Sequence, residues 1–182
     1  MKMKKKILSL FAAAILAVSV NAADYTHSIG MVAGLGLGAQ YKTMVSENFT
    51  LIDEFGYFTC ISGAASQSKA GAYAGAINNL VLAYQGNITE GEGISLDYYA
   101  GGQIKVGYIQ NRWASDAAGI FGFGAAVGIE AIMQNAPIAF SFDFRPGYAL
   151  GMYGATTMAG YPLTLLDHMF DYSFNLGVRY KF

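Results

Sequence analysis

Charged residues are scarce in this sequence. Asp, Glu, Lys and Arg make up 13% of the 182 residues, whereas 54% of the residues are hydrophobic. Ordinary soluble domains contain roughly 25% charged residues, so a soluble fold of this composition would have too few polar side chains to cover its surface. The composition therefore favours an apolar environment.

Long apolar runs are also missing once the first 22 residues are set aside. No later stretch reaches the roughly 18 consecutive apolar residues that a transmembrane helix needs. In a bilayer every backbone polar group must be paired, and only helices and closed barrels achieve this. If the chain crosses a membrane, the sequence predicts that it does so as a closed barrel.

Cysteine and histidine are nearly absent, which limits the available chemistry. The single Cys60 excludes a disulfide framework within the chain, and we expect it to be a small inward-facing residue. One cysteine and two distant histidines, His27 and His168, do not form a metal-binding pattern. The sequence predicts no metal and no cofactor.

The first 22 residues have the pattern of a secretory signal peptide. A basic start is followed by the apolar run 7–20 and by small residues, which predicts cleavage after Ala22. Four of the 11 Lys and Arg residues lie in this segment, whereas all 12 acidic residues follow it, so residues 23–182 carry a net charge of −5. An acidic single domain of this size is not expected to bind nucleic acid.

The last thirteen residues contain the clearest pattern. From Phe170 to Phe182 every even position is apolar or aromatic, whereas the odd positions include Asp171, Arg179 and Lys181. Successive side chains of a strand point to opposite faces, so this strand has one apolar face and one polar face. Such a strand suits a membrane barrel, with lipid on one side and a polar lumen on the other.

The same two-residue period recurs along the chain. Tight turns follow residues 44, 85 and 132, and longer loops follow residues 61, 109 and 150. Both ends of a bacterial barrel lie in the periplasm, so the number of strands must be even. Six strands are predicted from Phe49 onward, and the stretch from Tyr25 to Met44 therefore has to form two strands with a turn at Gly34 to Gly36. The sequence therefore predicts an all-β fold, an eight-stranded antiparallel up-and-down transmembrane β-barrel over residues 23–182. The expected strands cover residues 25–33, 37–44, 49–61, 70–85, 94–109, 119–132, 138–150 and 170–182.

The inward positions of these strands carry charges of both signs. Buried charges are tolerated only when paired and hydrogen-bonded, so we predict ion pairs inside the barrel, with Arg145 and Arg179 as two-point donors. Their expected acceptors are Glu130, Asp143 and Asp171. Eight strands enclose an interior that side chains fill, so the lumen should be plugged. The predicted ion-pair network comprises Lys105, Glu130, Asp143, Arg145, Asp171 and Arg179, and Lys42, Glu54, Asp97 and Lys181 share its face.

Three features depart from this simple pattern. Asp53 falls on the apolar face of its strand, where it would meet lipid unless a bulge turned it inward. Pro146 cannot donate to a ladder, so we expect it near a strand end or at a bulge. The glycines Gly122 and Gly124 suggest a dinucleotide motif, but its third glycine is Val127 here and no helix is predicted to follow, so inward-facing barrel glycines are favoured.

Several segments resemble small outer-membrane β-barrel proteins of the Bacteroides type, with eight-stranded barrels like those of outer membrane proteins A and X. The segments are residues 38–48, 96–108, 122–130, 136–148 and 176–182. The fourth of them, 136–148, contains an Asp-Phe-Arg-Pro element. The resemblance implies a location in the outer membrane. It also implies that the terminal strand, with Val178, Tyr180 and Phe182, is the signal that the barrel-insertion machinery recognises.

These observations favour an integral outer-membrane barrel with a filled lumen, a structural or surface-interaction role and no catalysis. Its expected partners are outer-membrane lipid and the insertion machinery, an unidentified surface ligand is left open, and we expect a monomer. One alternative is a narrow pore. Another is a lipid-modifying enzyme at the outer rim, although Asp167 and His168 are neighbours in an extended chain and would point apart rather than join loop serines such as Ser66 and Ser68 in a triad. A soluble exported barrel of the lipocalin type would need the opposite alternation, with the apolar face inward.

Overall fold

The structure, a computed structural model, describes residues 25–61, 72–111, 117–153 and 164–182. Each strand pairs with the next in antiparallel fashion, and β1 pairs with β8, so the sheet closes on itself. The predicted all-β, eight-stranded, antiparallel up-and-down barrel is confirmed. Within the described part of the chain, no helix is long and apolar enough to cross a membrane. The strands are β1 His27–Ala33, β2 Gly36–Ser46, β3 Phe49–Ile61, β4 Ala72–Gly91, β5 Ile94–Asn111, β6 Ala117–Met133, β7 Ile138–Tyr153 and β8 Thr164–Lys181.

The strand ladder closes with a shift along the strands. Following paired residues around the barrel from Ile29 leads to Phe170 on β8, but Ile29 itself pairs with Tyr180, ten residues further on. A closed sheet with such a stagger has strands tilted by roughly 35–45° from the barrel axis. Side chains that meet inside the barrel therefore come from widely separated positions in the ladder.

The short connections between strands lie at one end of the barrel, which we call the turn end. They are residues 47–48, 92–93 and 134–137. Gly93 has a φ of 87°, a value that side-chain-bearing residues rarely adopt, so the two-residue turn between β4 and β5 depends on glycine. At the same end, backbone hydrogen bonds join Phe182 to His27. We call the opposite end the loop end.

Several strands extend beyond their predicted bounds. β4 continues through the predicted turn at 86–93 as far as Gly91, and β8 begins at Thr164 rather than at Phe170. The predicted irregular stretch 151–169 is therefore partly strand. Beyond the apolar zone both faces of a strand can be polar, so the alternation fades there although the ladder continues. The turn predicted at Gly34 to Gly36 is present, with Gly34 and Leu35 connecting β1 to β2.

Pro146 lies within β7, and the sheet accommodates it by an irregularity on one side. It pairs with Tyr172 of β8, but the β6–β7 ladder is interrupted at Ala125 and Ala126. Proline has no N–H to donate, so a break in one of its two ladders is the expected result. The proline is thus at an irregularity, although it is not at the strand end.

The outward face of the barrel is apolar between two belts of aromatic side chains. Residues between the belts include Met31, Ile104 and Val127, which expose 57%, 47% and 54% of their surface. Members of a belt also contact each other, and the ring of Phe49 meets that of Tyr84 edge-on, with centroids 5.7 Å apart. The turn-end belt contains Phe49, Tyr84, Tyr98, Tyr180 and Phe182, and the loop-end belt contains Tyr57, Tyr108, Tyr148, Phe170 and Tyr172.

Candidate functional site

The barrel interior is filled by polar and charged side chains, and one connected set of them comes from seven of the eight strands. They occupy the positions that the two-residue alternation directs inward. All of them are buried, although they belong to residue types that are mostly exposed in proteins. We call the set the lumen network. Its members are Gln40, Lys42, Glu54, Gln85, Asp97, Tyr99, Glu130, Asp143, Arg145, Asn175 and Arg179.

Glu130 is the centre of the network near the turn end. Its Oε1 atom accepts hydrogen bonds from the Tyr25 hydroxyl, at 2.6 Å, and from Arg179 Nη2. Its Oε2 atom accepts from Lys42 Nζ and from Gln85 Nε2, the latter at 3.2 Å. Two cations and two neutral donors therefore surround one fully buried carboxylate, which offsets much of its desolvation cost.

Tyr25, which precedes β1, closes this centre at the turn end. Burial raises the pKa of its hydroxyl above the ordinary value, and the charge of Glu130 adds to the shift. The hydroxyl therefore stays protonated and available as a donor. The Lys42 amino group lies 5.4 Å from the centroid of the Tyr25 ring, close enough for a cation–π contact.

Arg145 is the centre of the network nearer the loop end. Its guanidinium donates to both carboxylate oxygens of Glu54, with Nη2 to Oε1 at 2.8 Å, and Nη2 also reaches Asp143 Oδ2 at 2.7 Å. Asp143 accepts two more bonds, from the Tyr99 hydroxyl at 2.6 Å and from Asn175 Nδ2 at 2.8 Å. This centre joins β3, β5, β7 and β8 across the interior.

Gln40 connects the two centres. Its side-chain nitrogen donates to Glu54, and its side-chain oxygen accepts from Arg179, which is bound to Glu130. The hydrogen bonds of the lumen network thus run without a break from Glu130, which also binds Tyr25, to Asn175. A continuous network in a low-dielectric interior rigidifies the barrel when its members are satisfied.

The buried charges of the described interior balance. Each acid carries one negative charge and each base one positive charge, so the sum is zero. A neutral, hydrogen-bonded interior offers no excess charge to attract an ion of one sign. The acids are Glu54, Asp97, Glu130 and Asp143, and the bases are Lys42, Lys105, Arg145 and Arg179.

A layer of apolar side chains fills the interior beyond the lumen network, towards the loop end. Phe58 lies four residues beyond Glu54 on β3, and Ala149 lies four residues beyond Arg145 on β7. This layer was not predicted from the sequence, although its members occupy inward positions in the two-residue alternation. The barrel is therefore obstructed at two levels, by the lumen network and by apolar packing. The apolar layer consists of Val32, Phe58, Ile77, Ile109, Ile120 and Ala149.

The predicted ion-pair residues Glu130, Asp143, Arg145 and Arg179 all lie in the lumen network. Arg145 binds Asp143 and Arg179 binds Glu130, both of which were named as acceptors. The additional two-point contact of Arg145 is with Glu54, which was not among the named acceptors. Lys105 is buried on β5.

Four neutral members, Gln40, Gln85, Tyr99 and Asn175, were not singled out in the sequence. Each occupies an inward position in the two-residue alternation of its strand, and that alternation was the available signal.

Other predicted residues lie wholly or partly outside the part of the chain that the structure describes. The backbone of Asp171 pairs with Gly147, but its side chain lies outside the described part. The same holds for the side chains of Cys60, Asp167 and His168. Residues 1–22, with the predicted cleavage point, and the loop serines Ser66 and Ser68 are also outside it. Among the residues that are described, no three His, Cys, Asp or Glu side chains could hold a metal ion.

The fold and its interior define a class, the small closed β-barrel with a filled lumen and an apolar outer surface. No protein-family model matches the chain, and no curated protein is similar to it in sequence. Two solved structures are similar in fold. Neisserial surface protein A aligns over 86% of this chain and 93% of its own, with 9% identity and a TM-score of 0.40. Ail, the attachment invasion locus protein of Yersinia pestis, aligns over 86% of this chain and 97% of its own, with 13% identity and a TM-score of 0.34.

Proposed function

We propose that this chain is an integral outer-membrane β-barrel with a side-chain-filled lumen, a structural or surface-interaction role and no catalysis. The observation that carries the proposal is the apolar outward face between two aromatic belts. On β3 the belts are represented by Phe49 and Tyr57, eight residues apart. Eight residues rise about 26 Å along a strand, or about 20 Å across a bilayer at a tilt near 40°, close to the apolar band of known membrane barrels.

The orientation follows from the two ends of the barrel. Short turns and both chain termini belong on the periplasmic side of bacterial barrels, so the turn end is proposed to face the periplasm and the loop end the exterior. Export would use residues 1–22 as a cleaved signal peptide. Val178 and Tyr180 of β8 and Phe182, the residue after it, are at least half exposed and are proposed as the contact for the insertion machinery.

The interior supports a non-conducting, non-catalytic role. A pore needs a continuous polar path, whereas the apolar layer here lies above a neutral network whose polar groups bind one another. A catalytic site needs an accessible nucleophile or base, whereas the lumen network is buried. The arrangement is also opposite to that of a lipocalin, whose apolar face would line the interior.

Membrane fractionation combined with heat modification tests the proposal. The folded barrel should remain in the outer-membrane fraction after a urea wash, and its gel mobility should change on boiling. Recovery in the soluble periplasmic fraction, or the same mobility with and without boiling, would refute the membrane barrel. A planar-bilayer recording of the same preparation addresses the narrow-pore alternative separately.

A further inference from the structure

Two inward amide side chains lie between the lumen network and the apolar layer. Asn79 on β4 is paired with Glu54 of the lumen network, and Ile77 of the apolar layer lies two positions from it on the same strand. Gln103 on β5 is paired with Val81, the buried residue two positions from Asn79 in the other direction. Diagonal neighbours of this kind on one face of a sheet are close enough for their side chains to share a partner. We call Asn79 and Gln103 the amide pair.

Each amide of this pair is buried, but its oxygen atom has no partner among the described residues. Asn79 exposes 7% of its surface and Gln103 exposes 5%. Neither Asn79 Oδ1 nor Gln103 Oε1 accepts a hydrogen bond from any residue that the structure describes. The large majority of buried polar side-chain atoms are hydrogen-bonded, either to protein or to ordered water. The two oxygens therefore call for a bound donor.

Two glycines give Gln103 its place in the interior. Gly124 on β6 pairs with Gln103, and Gly147 on β7 pairs with Gly124. A Cβ atom at Gly124 would lie 3.0 Å from Gln103 Nε2, and a Cβ atom at Gly147 would lie 3.3 Å from it. The amide group thus uses space that side chains on β6 and β7 would otherwise occupy. This part of the interior is shaped around a polar group rather than around apolar packing.

We infer that the amide pair binds a buried water molecule between the lumen network and the apolar layer. The pair offers two acceptor oxygens, and a water molecule has two hydrogens to donate, one to each of them. The water oxygen can then accept a further bond, which gives the total of about three that is typical of buried water. The inference goes beyond the proposed function, because it depends on the closed barrel and not on its location in a membrane.

Two other ways of pairing the oxygens fit less well. A metal cation would be repelled by the ammonium group of Lys105, which is buried on β5 and paired with Asn79. A direct bond between the two amides requires one of them to be turned over, so that its nitrogen faces the oxygen of the other. Such a bond would still leave one oxygen without a donor, whereas water supplies a donor to both.

Urea titration of the barrel in lipid vesicles tests whether the amides are satisfied. Asn79→Leu and Gln103→Met each remove one acceptor and nearly preserve side-chain size. Each variant should unfold at a lower urea concentration than wild type, because the water and the remaining amide lose a partner. The double variant should recover part of that loss, since no amide is then left unpaired. Gln110→Met changes an exposed residue of the same strand and should leave the midpoint unchanged.

The opposite shift would overturn the inference. If the amides are dry, apolar replacement relieves an unpaired group, so the single variants would unfold at a higher urea concentration than wild type. Losses that simply add in the double variant would show that the two amides share no water. Heat modification of each variant establishes that the folded barrel is being compared.

A crystal structure that resolves ordered water identifies the occupant directly. We expect a water molecule within hydrogen-bond distance of both Asn79 Oδ1 and Gln103 Oε1 in the wild type, and none at this place in the double variant. A direct contact between the two amides, or a cation coordinated by their oxygens, would overturn the inference.

Discussion

Arg145 contacts two acids at once, so its loss would leave both of them buried without a cation. Replacing it by Leu removes three hydrogen bonds to Glu54 and Asp143. Breaking a buried ion pair on one side costs about 3–5 kcal/mol. We predict that Arg145→Leu lowers the free energy of unfolding by about that amount, measured by urea titration in lipid vesicles with heat-modified gel mobility as the readout.

Two further variants test whether this loss is electrostatic. Arg145→Lys keeps the charge but not the two-point geometry, so it should lie between wild type and Leu. Replacing Arg145, Glu54 and Asp143 together by apolar residues removes the uncompensated acids and should recover part of the stability. A Leu variant that unfolds at the wild-type urea concentration would show that this centre does not stabilise the barrel.

Gly128 provides the space that the Tyr99–Asp143 contact needs. A Cβ atom at this position would lie 2.5 Å from Cζ of the Tyr99 ring and 2.7 Å from Cβ of Asp143. We predict that Gly128→Val displaces Tyr99 and lowers the unfolding free energy by about 1–3 kcal/mol, the usual cost of overpacking. Gly102→Val is the matched control, because its only near neighbour would be a backbone oxygen at 3.8 Å. Equal stability of the two variants would contradict the prediction.

The sequence predicted which residues face inward but only some of the pairs they form: Arg145–Asp143 and Arg179–Glu130 were among the expected pairs, whereas Arg145–Glu54 was not. The two-residue alternation along each strand is enough to place the side chains of Arg145, Arg179 and Glu130 inside the barrel. Their partners depend on the stagger with which the sheet closes, and no local pattern encodes that stagger. Arg145 on β7 thus reaches Glu54 on β3, across the interior rather than on a neighbouring strand.

At the level of the strand, the alternation predicted the centres of the strands, which have an apolar outward face, better than the strand ends. β8 was recognised from Phe170 onward, where apolar and polar residues alternate, but the structure extends it back to Thr164. The hydrogen-bonded ladder needs only backbone groups, so it continues where side chains no longer alternate.

The outward residues at the turn end of β8, together with Phe182 after it, allow the proposed insertion signal to be tested. Val178, Tyr180 and Phe182 expose 50%, 56% and 62% of their surface at the turn end. We predict that replacing all three by Ser strongly reduces assembly in the outer membrane, measured as the heat-modifiable fraction in cells. The same protein should still refold in vesicles if recognition, rather than folding, is lost, because polar residues near an interface cost little stability.

Two changes at the other end of the same strand serve as the control. Phe170→Ser and Tyr172→Ser alter outward aromatics of the loop-end belt. They should leave assembly in cells largely intact, because they lie outside the proposed signal. Equal loss of assembly in both variants would assign the effect to general belt stability rather than to recognition.

In the whole molecule, the closure of the sheet, the filling of the lumen and the apolar character of the outer surface depend on one another. An eight-stranded barrel has an interior narrow enough for side chains to span, so opposite walls can be joined by ion pairs. Most inward charges bind an opposite charge inside the barrel, so the outward residues are free to be apolar almost throughout. Among the described residues, Asp53 is an outward acid near the middle of the apolar zone; no bulge turns it inward, and it accepts a hydrogen bond from Asn78 on the neighbouring strand.

Because the interior is filled, we expect the barrel not to conduct ions. The neutral lumen network and the apolar layer around Phe58 and Ile77 obstruct the same path at two levels, so loss of one would still leave the other. We predict that the purified wild-type protein shows no discrete current steps in planar bilayers, and that Arg145→Leu remains silent because the apolar layer persists. An open porin reconstituted in parallel shows that insertion can be detected, and gel analysis of the recovered vesicles shows that the barrel is present. Reproducible steps from the wild type would establish the narrow-pore alternative, whereas steps from Arg145→Leu alone would show that the lumen network is the only effective barrier.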